Sequence, residues 1–482
     1  MFKRTLLAAA LACAFPLPAL AASDAELAAL RAEFAQKLKE VQSTYEARLK
    51  ALESQQTQIK SDVTAPPPAR ADKLGQVGSG SSFNPQISVI FDGVYYNDNK
   101  QGGGIEAMEH IDGITHGHAH EGHDHAELGR GFNLRETEIA FSATVSPYFD
   151  ANLLLTVDSG GGVVVEEAYF DTRALPGCVK IRGGKFLSGI GYLNSQHPHT
   201  WDFVDQNLAY ATLLGQHGLM DTGLQFTWLP KTGNLYTLFG MELLQGNEHN
   251  FVSADKELPD DIVANGLGFG ELAADKAGPR LLTAYAKFGP DLGDAHALQI
   301  GASYAVGRQL QEVHDHRPEA GAVVHGLQGE GWLWGTDVVY KFDAPGAYGQ
   351  GDFTLAAEYL HQRKDLSVAF HETNAAAVGG QRKFSQDGFY LQGVYGFAPN
   401  WQLAARYDVT GMTNELDRGS SVTEWGKSDR WTLSLTRHLT EFSRLRLQAS
   451  TADLSVEGNP ERVNQFFLQY QHSLGAHGAH KF

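Results

Sequence analysis

The chain has 482 residues and a formal charge of −18, with 38 basic and 56 acidic side chains. This length allows several soluble domains or one large barrel. The acidic balance argues against a nucleic-acid partner, because negative charge repels the phosphate backbone. Glycine is abundant, at 53 residues, aromatic side chains make up 10% of the chain, and two cysteines are present.

The first residues have the pattern of a secretory signal peptide. Lys3 and Arg4 precede an apolar run that ends in A-L-A at position 21. We predict a signal peptide over residues 1–21, and a lipoprotein cleavage site at Cys13 is the weaker alternative. Cleavage would remove both basic residues and one cysteine, so the exported chain would carry a charge of −20 and keep only Cys178. We therefore expect no internal disulfide.

Residues 22–60 have apolar side chains at the spacing of a helix. The intervals are mostly three, four and four residues, an eleven-residue repeat that predicts a nearly straight coiled coil. We predict a periplasmic coiled-coil helix that joins copies of the chain, because its apolar face has no core of its own. Packing on another periplasmic surface, or partial unfolding, is the alternative. Residues 61–83 contain three consecutive prolines and G-S-G-S-S, which predicts a linker.

Residues 84–482 contain many short segments in which apolar and polar residues alternate. Beyond the first apolar run, no stretch approaches the ~20 apolar residues that a transmembrane helix needs. The segments, most of them near the ~9–11 residues of a tilted membrane strand, predict an all-β fold, a 16-stranded antiparallel transmembrane β-barrel. The predicted strands are 84–97, 131–146, 148–158, 162–174, 178–187, 220–229, 234–246, 279–289, 295–309, 330–343, 350–363, 386–398, 400–411, 427–439, 442–454 and 461–474.

The alternation predicts apolar residues on the outside of the barrel and polar residues inside, the arrangement of a water-filled membrane barrel. In 131–146 the outer row is Ile139, Phe141, Ala143 and Val145, with Glu136 and Glu138 opposite. In 400–411 the outer row is Trp401, Leu403, Ala405, Tyr407 and Val409, with Gln402, Arg406 and Asp408 opposite.

Charged residues at inward positions are the candidates for the lining of the lumen. The acidic candidates are Glu136, Glu138, Glu167, Asp171, Glu242, Glu358 and Asp408. The basic candidates are Arg135, Arg173, Arg182, Arg406, Arg444 and Arg446. Opposed acidic and basic faces would orient passing solutes, or the same charges would form a salt-bridge lattice that keeps the lumen hydrated.

The connections between the predicted strands alternate in length. The short ones lie at 146–147, 175–177, 230–234, 343–350, 399–400 and 440–441. The long ones lie at 98–130, 188–219, 247–278, 310–329, 364–385 and 412–426, and 158–162 and 455–460 are short exceptions among them. Short turns on one rim and long loops on the other are expected of a bacterial outer-membrane barrel. Both ends of the barrel domain would then face the periplasm.

The third loop on the long-loop side, residues 188–219, follows 98–130 and 158–162. It is too polar for a core element and too rich in aromatic and titratable groups for a flexible connection. We predict that it folds into the barrel and narrows it. The candidate constriction residues are His197, His199, Asp202 and Asp205. They would create a negative, cation-preferring field. The alternative, which we favour for their primary role, is that they hydrogen-bond the loop to the barrel wall.

The first long loop is a candidate metal collector. Its histidines and one aspartate are closely spaced: His110, His116, His118, His120, His123, Asp124 and His125. Neutral imidazole binds Zn²⁺, Ni²⁺, Cu²⁺ and Co²⁺, and zinc is the first choice because His and carboxylate ligands suit it. A solvated low-complexity loop is the alternative. The fifth loop carries E-V-H-D-H with His314 and His316, a weaker candidate for the same role.

The stretch from Val179 to Leu229 resembles phosphate-selective porins. The similar residues are G-G-K-F-L-S-G-I-G, the aromatic and acidic segment after it, and D-T-G-L-Q-F-T-W-L. The coiled-coil start, proline linker and strand count extend the resemblance over most of the chain. It is closest to a subgroup with N-S-Q-H-P-H-T-W-D-F-V-D-Q-N and a histidine-rich first loop, often described as zinc-regulated TonB-dependent outer-membrane receptors. The resemblance implies sixteen strands, a homotrimer and an inward-folded third loop.

Three functions follow as hypotheses. The first is an outer-membrane porin for passive uptake of small hydrophilic solutes, with divalent metal cations favoured. The second is a zinc-regulated TonB-dependent receptor for metal or metallophore uptake, which would need a plug where only a helix and a linker are predicted. The third is an envelope anchor in which the coiled coil binds the cell wall.

An enzyme is not predicted, because the chain lacks G-x-S-x-G, H-E-x-x-H and phosphate-loop motifs. No cofactor is required by any of the three hypotheses, and Zn²⁺, Ni²⁺, Cu²⁺ or Co²⁺ are the candidate bound ions. The expected partners are outer-membrane lipid, two further copies of the chain, and small solutes or metal ions. The expected location is the outer membrane of a Gram-negative cell, with the N-terminal helix in the periplasm.

Overall fold

The computed structural model describes residues 85–113, 128–157, 161–247, 250–254, 257–315, 323–456 and 458–475. The predicted signal peptide (1–21), coiled-coil helix (22–60) and linker (61–83) lie outside these residues. So do His116, His118, His120, His123, Asp124, His125, His316, the side chain of Glu136 and the tail after Gly475.

Sixteen strands of nine or more residues form one sheet in the described residues, as the alternation predicts. They are β1 (Gln86–Asp98), β2 (Gly131–Ser146), β3 (Phe149–Val157), β4 (Val163–Thr172), β5 (Val179–Leu187), β6 (Met220–Trp228), β7 (Leu235–Leu244), β8 (Leu281–Pro290), β9 (His296–Asp315), β10 (Val324–Phe342), β11 (Phe353–His371), β12 (Gln381–Ala398), β13 (Trp401–Asp417), β14 (Ser428–Thr440), β15 (Ser443–Val456) and β16 (Asn459–Gly475).

The sheet is closed on itself. Each strand pairs antiparallel with the strand before it, and β1 also pairs with β16. In the closing ladder Val89 lies opposite Leu474 and Ser88 opposite Gly475. Among the described strands, closure leaves no long edge unpaired, which is what lets a barrel sit in an apolar medium. The predicted 16-stranded antiparallel barrel is therefore confirmed.

The two faces of the strands differ as the sequence predicts. In β14 the inward Arg430, Thr432 and Ser434 are almost fully buried, whereas Trp431 and Leu433 between them are 58% and 59% exposed. In β13, Trp401 and Leu403 are exposed and Arg406 and Asp408 are buried. Apolar side chains thus face outward and polar ones inward, the reverse of a soluble barrel. Val409 departs from its predicted outward position and is buried just before a register shift between β12 and β13.

The two rims differ in the length of their connections less regularly than predicted, because only 99–130, 188–219 and 245–280 on one rim are longer than every connection between these strands on the other. One rim, here called the short-turn rim, has the connections 147–148, 173–178, 229–234, 291–295, 343–352, 399–400 and 441–442. The other rim, here called the long-loop rim, has the connections 99–130, 158–162, 188–219, 245–280, 316–323, 372–380, 418–427 and 457–458.

Strands β9 to β13 extend further toward the long-loop rim than predicted, so the predicted loops 310–329, 364–385 and 412–426 were too long. The β9–β10 ladder shifts register between Gly307 and Leu310. Beyond the shift Leu310 and Gln311 are both buried, so the period-2 pattern that marks a strand breaks off there. One consequence is that His314, in the E-V-H-D-H motif, lies in a strand rather than in a loop.

Short elements complete the fold. The helices are α1 (Gly104–Glu109), α2 (Leu208–Leu213) and α3 (Asp260–Asn265), and single 3₁₀ turns lie at Pro176–Cys178, Leu193–Ser195, Pro198–Thr200, Ala347–Gly349 and Ala375–Ala377. Two- or three-residue strands lie at Ser253–Ala254, Phe269–Gly270 and Val422–Glu424. None of the helices in the described residues is long and apolar enough to cross a membrane.

Candidate functional site

The third loop, residues 188–219, crosses the interior of the barrel. Its backbone N–H groups donate to side chains on strands that lie far apart around the cylinder: Gly191 to Ser303 of β9, Tyr192 to Glu358 of β11, and Val204 to Gln448 of β15. A loop that reaches β9, β11 and β15 must span the cross-section.

Glu358 fastens the first part of the loop. It is 1% exposed, and its carboxylate accepts from the backbone N–H groups of Tyr192 and Leu193 at 2.8 and 2.9 Å. The hydroxyl groups of Tyr210 and Tyr390 donate to the same carboxylate. Four donors are enough to satisfy the hydrogen-bonding capacity of a buried carboxylate.

Glu242, a predicted lumen residue, has a similar role on β7. It is fully buried and accepts from the Ser188 hydroxyl, the Gly189 N–H, Gln225 and Thr283. Between these two carboxylates the loop packs on a cluster of buried apolar side chains from both loop and wall: Phe186, Ile190, Leu193, Leu213, Leu219, Leu244, Phe251, Leu281, Tyr285, Leu333 and Leu360. This side of the interior is therefore filled by packing.

Helix α2 belongs to the packed side. The side chain of Asn207 accepts from the backbone N–H of Tyr210 at 2.9 Å and so caps the helix at its start. All of its residues except Ala211 are buried. The cap and the burial position Tyr210 to reach Glu358.

On the other side the loop contacts charged groups. Asp205 receives ion pairs from Arg406 at 2.9 Å and Arg430 at 2.7 Å, and both arginines also pair with the fully buried Asp408. Burial raises the pKa of Asp205, but the charges of Arg430 and Arg406 outweigh it and leave the pKa below its usual range. Asp205 is thus held ionised between two guanidinium groups.

Two further arginines of β15 contact the loop through its backbone. Arg446 donates to the carbonyl of Trp201 at 2.8 Å and Arg444 to the carbonyl of His199 at 2.7 Å. Within the described residues neither has a carboxylate in ion-pair distance. Asp202 is near them and accepts from Gln392, and burial raises its pKa against the opposing charges of Arg446, Arg444 and Lys341.

His197 and His199 face carboxylates of the wall on β2 and β4. His197 Nε2 is 3.0 Å from Glu167 and His199 Nδ1 is 2.8 Å from Glu138. The two imidazoles are stacked, with ring centres 5.9 Å apart. Burial would lower the pKa of His197, but the adjacent carboxylates of Glu166 and Glu167 outweigh it and hold the pKa well above its usual range. These contacts fasten the loop to the wall.

The remaining predicted residues are not brought to this site. Arg173 lies at the short-turn rim, where it pairs with Asp150 and is largely exposed. His110 ends α1, with its Nδ1 bonded to the carbonyl of Glu106 at 2.8 Å. No three His, Cys, Asp or Glu side chains among the described residues already converge as metal ligands. Metal capture by the first loop stays a prediction.

Sequence reasoning missed three residues of the site: Glu166, Arg430 and Asp92. Asp92 pairs with Arg135. Arg430 could have been found, because it begins the inward row that continues with Thr432 and Ser434. Glu166 could not have been found, because strict alternation along the strand would place it outward if Glu167 faces inward.

Comparisons with known proteins give one relative at the level of sequence, and no family model matches the chain. An uncharacterized protein of Aquifex aeolicus is 32% identical over 418 residues, which cover 84% of this chain and 81% of that protein. A loop-L8 deletion mutant of the outer membrane protein OmpT of Vibrio cholerae has a TM-score of 0.46 at 11% identity, over 82% of this chain and 100% of that one.

Two further solved structures have the same level of similarity. The outer membrane channel DcaP of Acinetobacter baumannii has a TM-score of 0.45 at 11% identity, over 83% of this chain and 100% of that one. An anion-selective porin from Comamonas acidovorans has a TM-score of 0.40 at 12% identity, over 81% and 99%. The 32% sequence identity over 84% of this chain shows that it belongs to the same family as the Aquifex aeolicus protein.

Proposed function

We propose that the chain is an outer-membrane channel through which small hydrophilic solutes pass passively. The observation that carries the proposal is the closed barrel of sixteen strands with apolar side chains outside and polar side chains inside. Such a surface is stable in lipid and costly in water, and a polar interior suits a lumen that water and solutes enter.

The third loop would set the width and the charge of the passage. It is fastened to β9, β11 and β15, so it narrows the lumen from within the barrel. Beside it Asp202 and Asp205 face Arg444, Arg446, Arg406 and Arg430, which are the opposed charges expected to orient a solute. Because the described interior is occupied by this loop, a passive channel fits better than a receptor closed by an N-terminal plug.

Divalent metal cations, zinc first, are the solutes that we propose are favoured. The support is the overall charge of −18 and the histidines of the first loop, which would raise the local concentration of metal at the entrance. A second candidate class is small anions. It is favoured by Arg444 and Arg446, whose guanidinium groups donate to loop carbonyls and have no carboxylate at ion-pair distance in the described residues.

Three chains are proposed to assemble, with residues 22–60 holding them together in the periplasm. The support is the eleven-residue apolar repeat and the implied trimer of porins. Cross-linking of the detergent-purified protein would test this, and removal of residues 22–60 should lower the yield of the trimer. A variant lacking the linker residues 69–82 is the control for shortening the chain.

Planar lipid bilayers would test the channel. We expect stepwise conductance and, in a salt gradient, a reversal potential that reports cation preference. Arg446→Gln should shift that potential further toward cations, whereas Arg437→Gln, which removes a charge at the short-turn rim, should leave it unchanged. Absence of conductance, or protein that stays soluble without detergent, would reject a channel. A reversal potential that reports anion preference would favour the second solute class.

A further inference from the structure

The described start of the first loop, residues 99–113, turns into the barrel. We call this segment the strap; it contains helix α1. Ile111, near its end, is 2% exposed and lies in an apolar cluster with Leu208 of the third loop and Ala452 of β15. Because Leu208 begins helix α2, the strap rests on the third loop from the side of the long-loop rim.

The strap is fixed where it leaves β1. One carboxylate oxygen of Asp98 accepts from the backbone N–H groups of Lys100 and Gly102, and the other accepts from that of Gly104 at 2.9 Å. The next residue, Ile105, packs on a cluster of buried apolar side chains that includes Val204 of the third loop. The first turn of the strap is therefore directed inward, onto the third loop.

The far end of the strap is fixed by Asp112, which is 1% exposed. Its carboxylate accepts from the hydroxyl of Ser455 at 2.7 Å and from the N–H of Gly458 at 3.0 Å. Its carbonyl accepts from Gln386 at 3.3 Å and from Asn414 at 3.0 Å. Since these partners lie on β12, β13 and the β15–β16 hairpin, the strap runs across the mouth from β1 to β12.

The fit at this end is close. Gly113 has a φ of +133°, and a Cβ there would lie 2.4 Å from the side-chain nitrogen of Gln386 and 2.6 Å from the side-chain oxygen of Asn414. A glycine is therefore needed for the chain to pass between the strands and keep the bonds of Asp112.

The strap covers the charged side of the third loop. The sulfur of Met108 is 3.6 Å from Nη1 of Arg430, the same nitrogen that pairs with Asp205 at 2.7 Å. Ala452, which packs with the strap, lies directly opposite Arg430 in the β14–β15 ladder. A solute that enters from the long-loop rim therefore meets the strap before it can reach these charges.

We propose, on the basis of the channel function above, that the strap closes this side of the mouth to all but small solutes. The first loop, as well as the third, then sets the size limit of the channel. Asp112 and Ile111 are the residues that keep the strap in place, because a buried carboxylate and a buried apolar side chain both favour the seated position.

Two measurements on the purified full-length protein test the strap. Ile111→Ser/Asp112→Ser should release it and raise the single-channel conductance in planar bilayers about two-fold or more, because a wider mouth passes more ions. The second measurement is labelling of Ala452→Cys by a polar maleimide, with Cys178 replaced by Ser. Release of the strap should accelerate this labelling about 10-fold or more, since local opening exposes the site.

Glu106→Ser/Glu109→Ser is the matched control. It makes two serine substitutions on the exposed face of α1 and removes more negative charge, and it should leave both readouts unchanged. Heat-dependent electrophoretic mobility identifies variants that lose the barrel. If the double variant does not fold, Gly113→Ala takes its place and should have the same effects. Its own control is Gly102→Ala, which has a φ of +110° but no atom within 4 Å of the added Cβ.

Parental conductance in a folded, released variant would overturn the proposal, and so would an unchanged rate of labelling. A control variant with the effects of release would overturn it as well. If neither the parent nor the released variants conduct, the channel itself is rejected. The labelling rate then decides separately whether the strap covers β15.

Discussion

The two sides of the third loop are held in different ways. Residues 188–194 and 208–219 pack on apolar side chains, and the buried carboxylates of Glu242 and Glu358 accept from neutral donors there. Residues 197–206 contact arginines, histidines and carboxylates instead. The packed side fixes the position of the loop, and the charged side leaves ionised groups facing the remaining space.

The difference shows how one loop can be both rigid and polar. Apolar burial stabilises without direction, so it can hold the loop but cannot select a solute. Charged groups select solutes, but each buried one needs a partner of opposite charge or several hydrogen bonds. Because apolar packing holds the loop, the charged side can carry groups such as Asp202 while the loop stays bound to the barrel wall.

The largest effect is expected from the charged side. Arg430→Met should destabilise the protein by about 3–5 kcal/mol, because it leaves Asp408 and Asp205 with Arg406 as their shared cation. Urea unfolding from lipid vesicles measures the loss. Arg437→Met, at the short-turn rim, is the control of equal size. A loss as small as that of the control would mean that the buried ion pairs do not hold the loop.

A smaller loss is expected on the packed side. Glu358→Gln keeps one acceptor oxygen and replaces the other with an N–H₂ group. The tyrosine hydroxyl on that side can turn to accept from the new group, so one backbone N–H loses its acceptor, at about 1–3 kcal/mol. Hydrogen exchange at Tyr192 and Leu193 should accelerate. Gln362→Glu, on the same strand, controls for exchanging amide and carboxylate. Unchanged exchange would show that packing alone fixes this part of the loop.

The smallest effect concerns pH and selectivity rather than stability. Because the pKa of Asp202 is raised, its side chain in the folded protein binds a proton at pH values above the ordinary pKa of 3.8. An exposed aspartate is still ionised at those pH values. As the pH falls through this window the folded state gains stability and the passage loses one negative charge. The neighbouring charges are Arg444, Arg446 and Lys341.

Reversal potentials recorded between pH 7 and pH 4 should therefore move toward anion preference. Asp202→Asn should show the shifted potential already at pH 7 and lose that step of the titration. Asp150→Asn, at the short-turn rim beside Arg173, is the control and should retain it. A step that persists in Asp202→Asn would assign the titration to another group.

Much of the barrel could be predicted, because the alternation of β13 and β14 is imposed by lipid on one side and water on the other. The extended ends of β9 to β13 could not, since beyond Gly307 a register shift breaks the period that marks a strand. The same limit concealed Glu166, whose inward position comes from a bulge and not from its place in the alternation.

The candidate site was predictable in its residues more than in their partners. His197, His199, Asp202 and Asp205 stand out in the sequence as a polar group within nine positions. Their partners on β13, β14 and β15 are set by closure of the barrel, which joins residues more than 200 positions apart, and those on β2 and β4 lie 61 and 30 positions away. Local pattern carries no information on such pairs.

The order in which the barrel can mature follows from where the third loop is tied. The carbonyl of His199 accepts from Arg444 and from Gln471, which are 245 and 272 positions later in the chain. A chain whose last two strands have not yet joined the cylinder lacks these ties, and contacts so distant in sequence form late. Residues near His199 can therefore take their final place only once β15 and β16 have joined the cylinder, so the passage should reach its working width only when the barrel is complete.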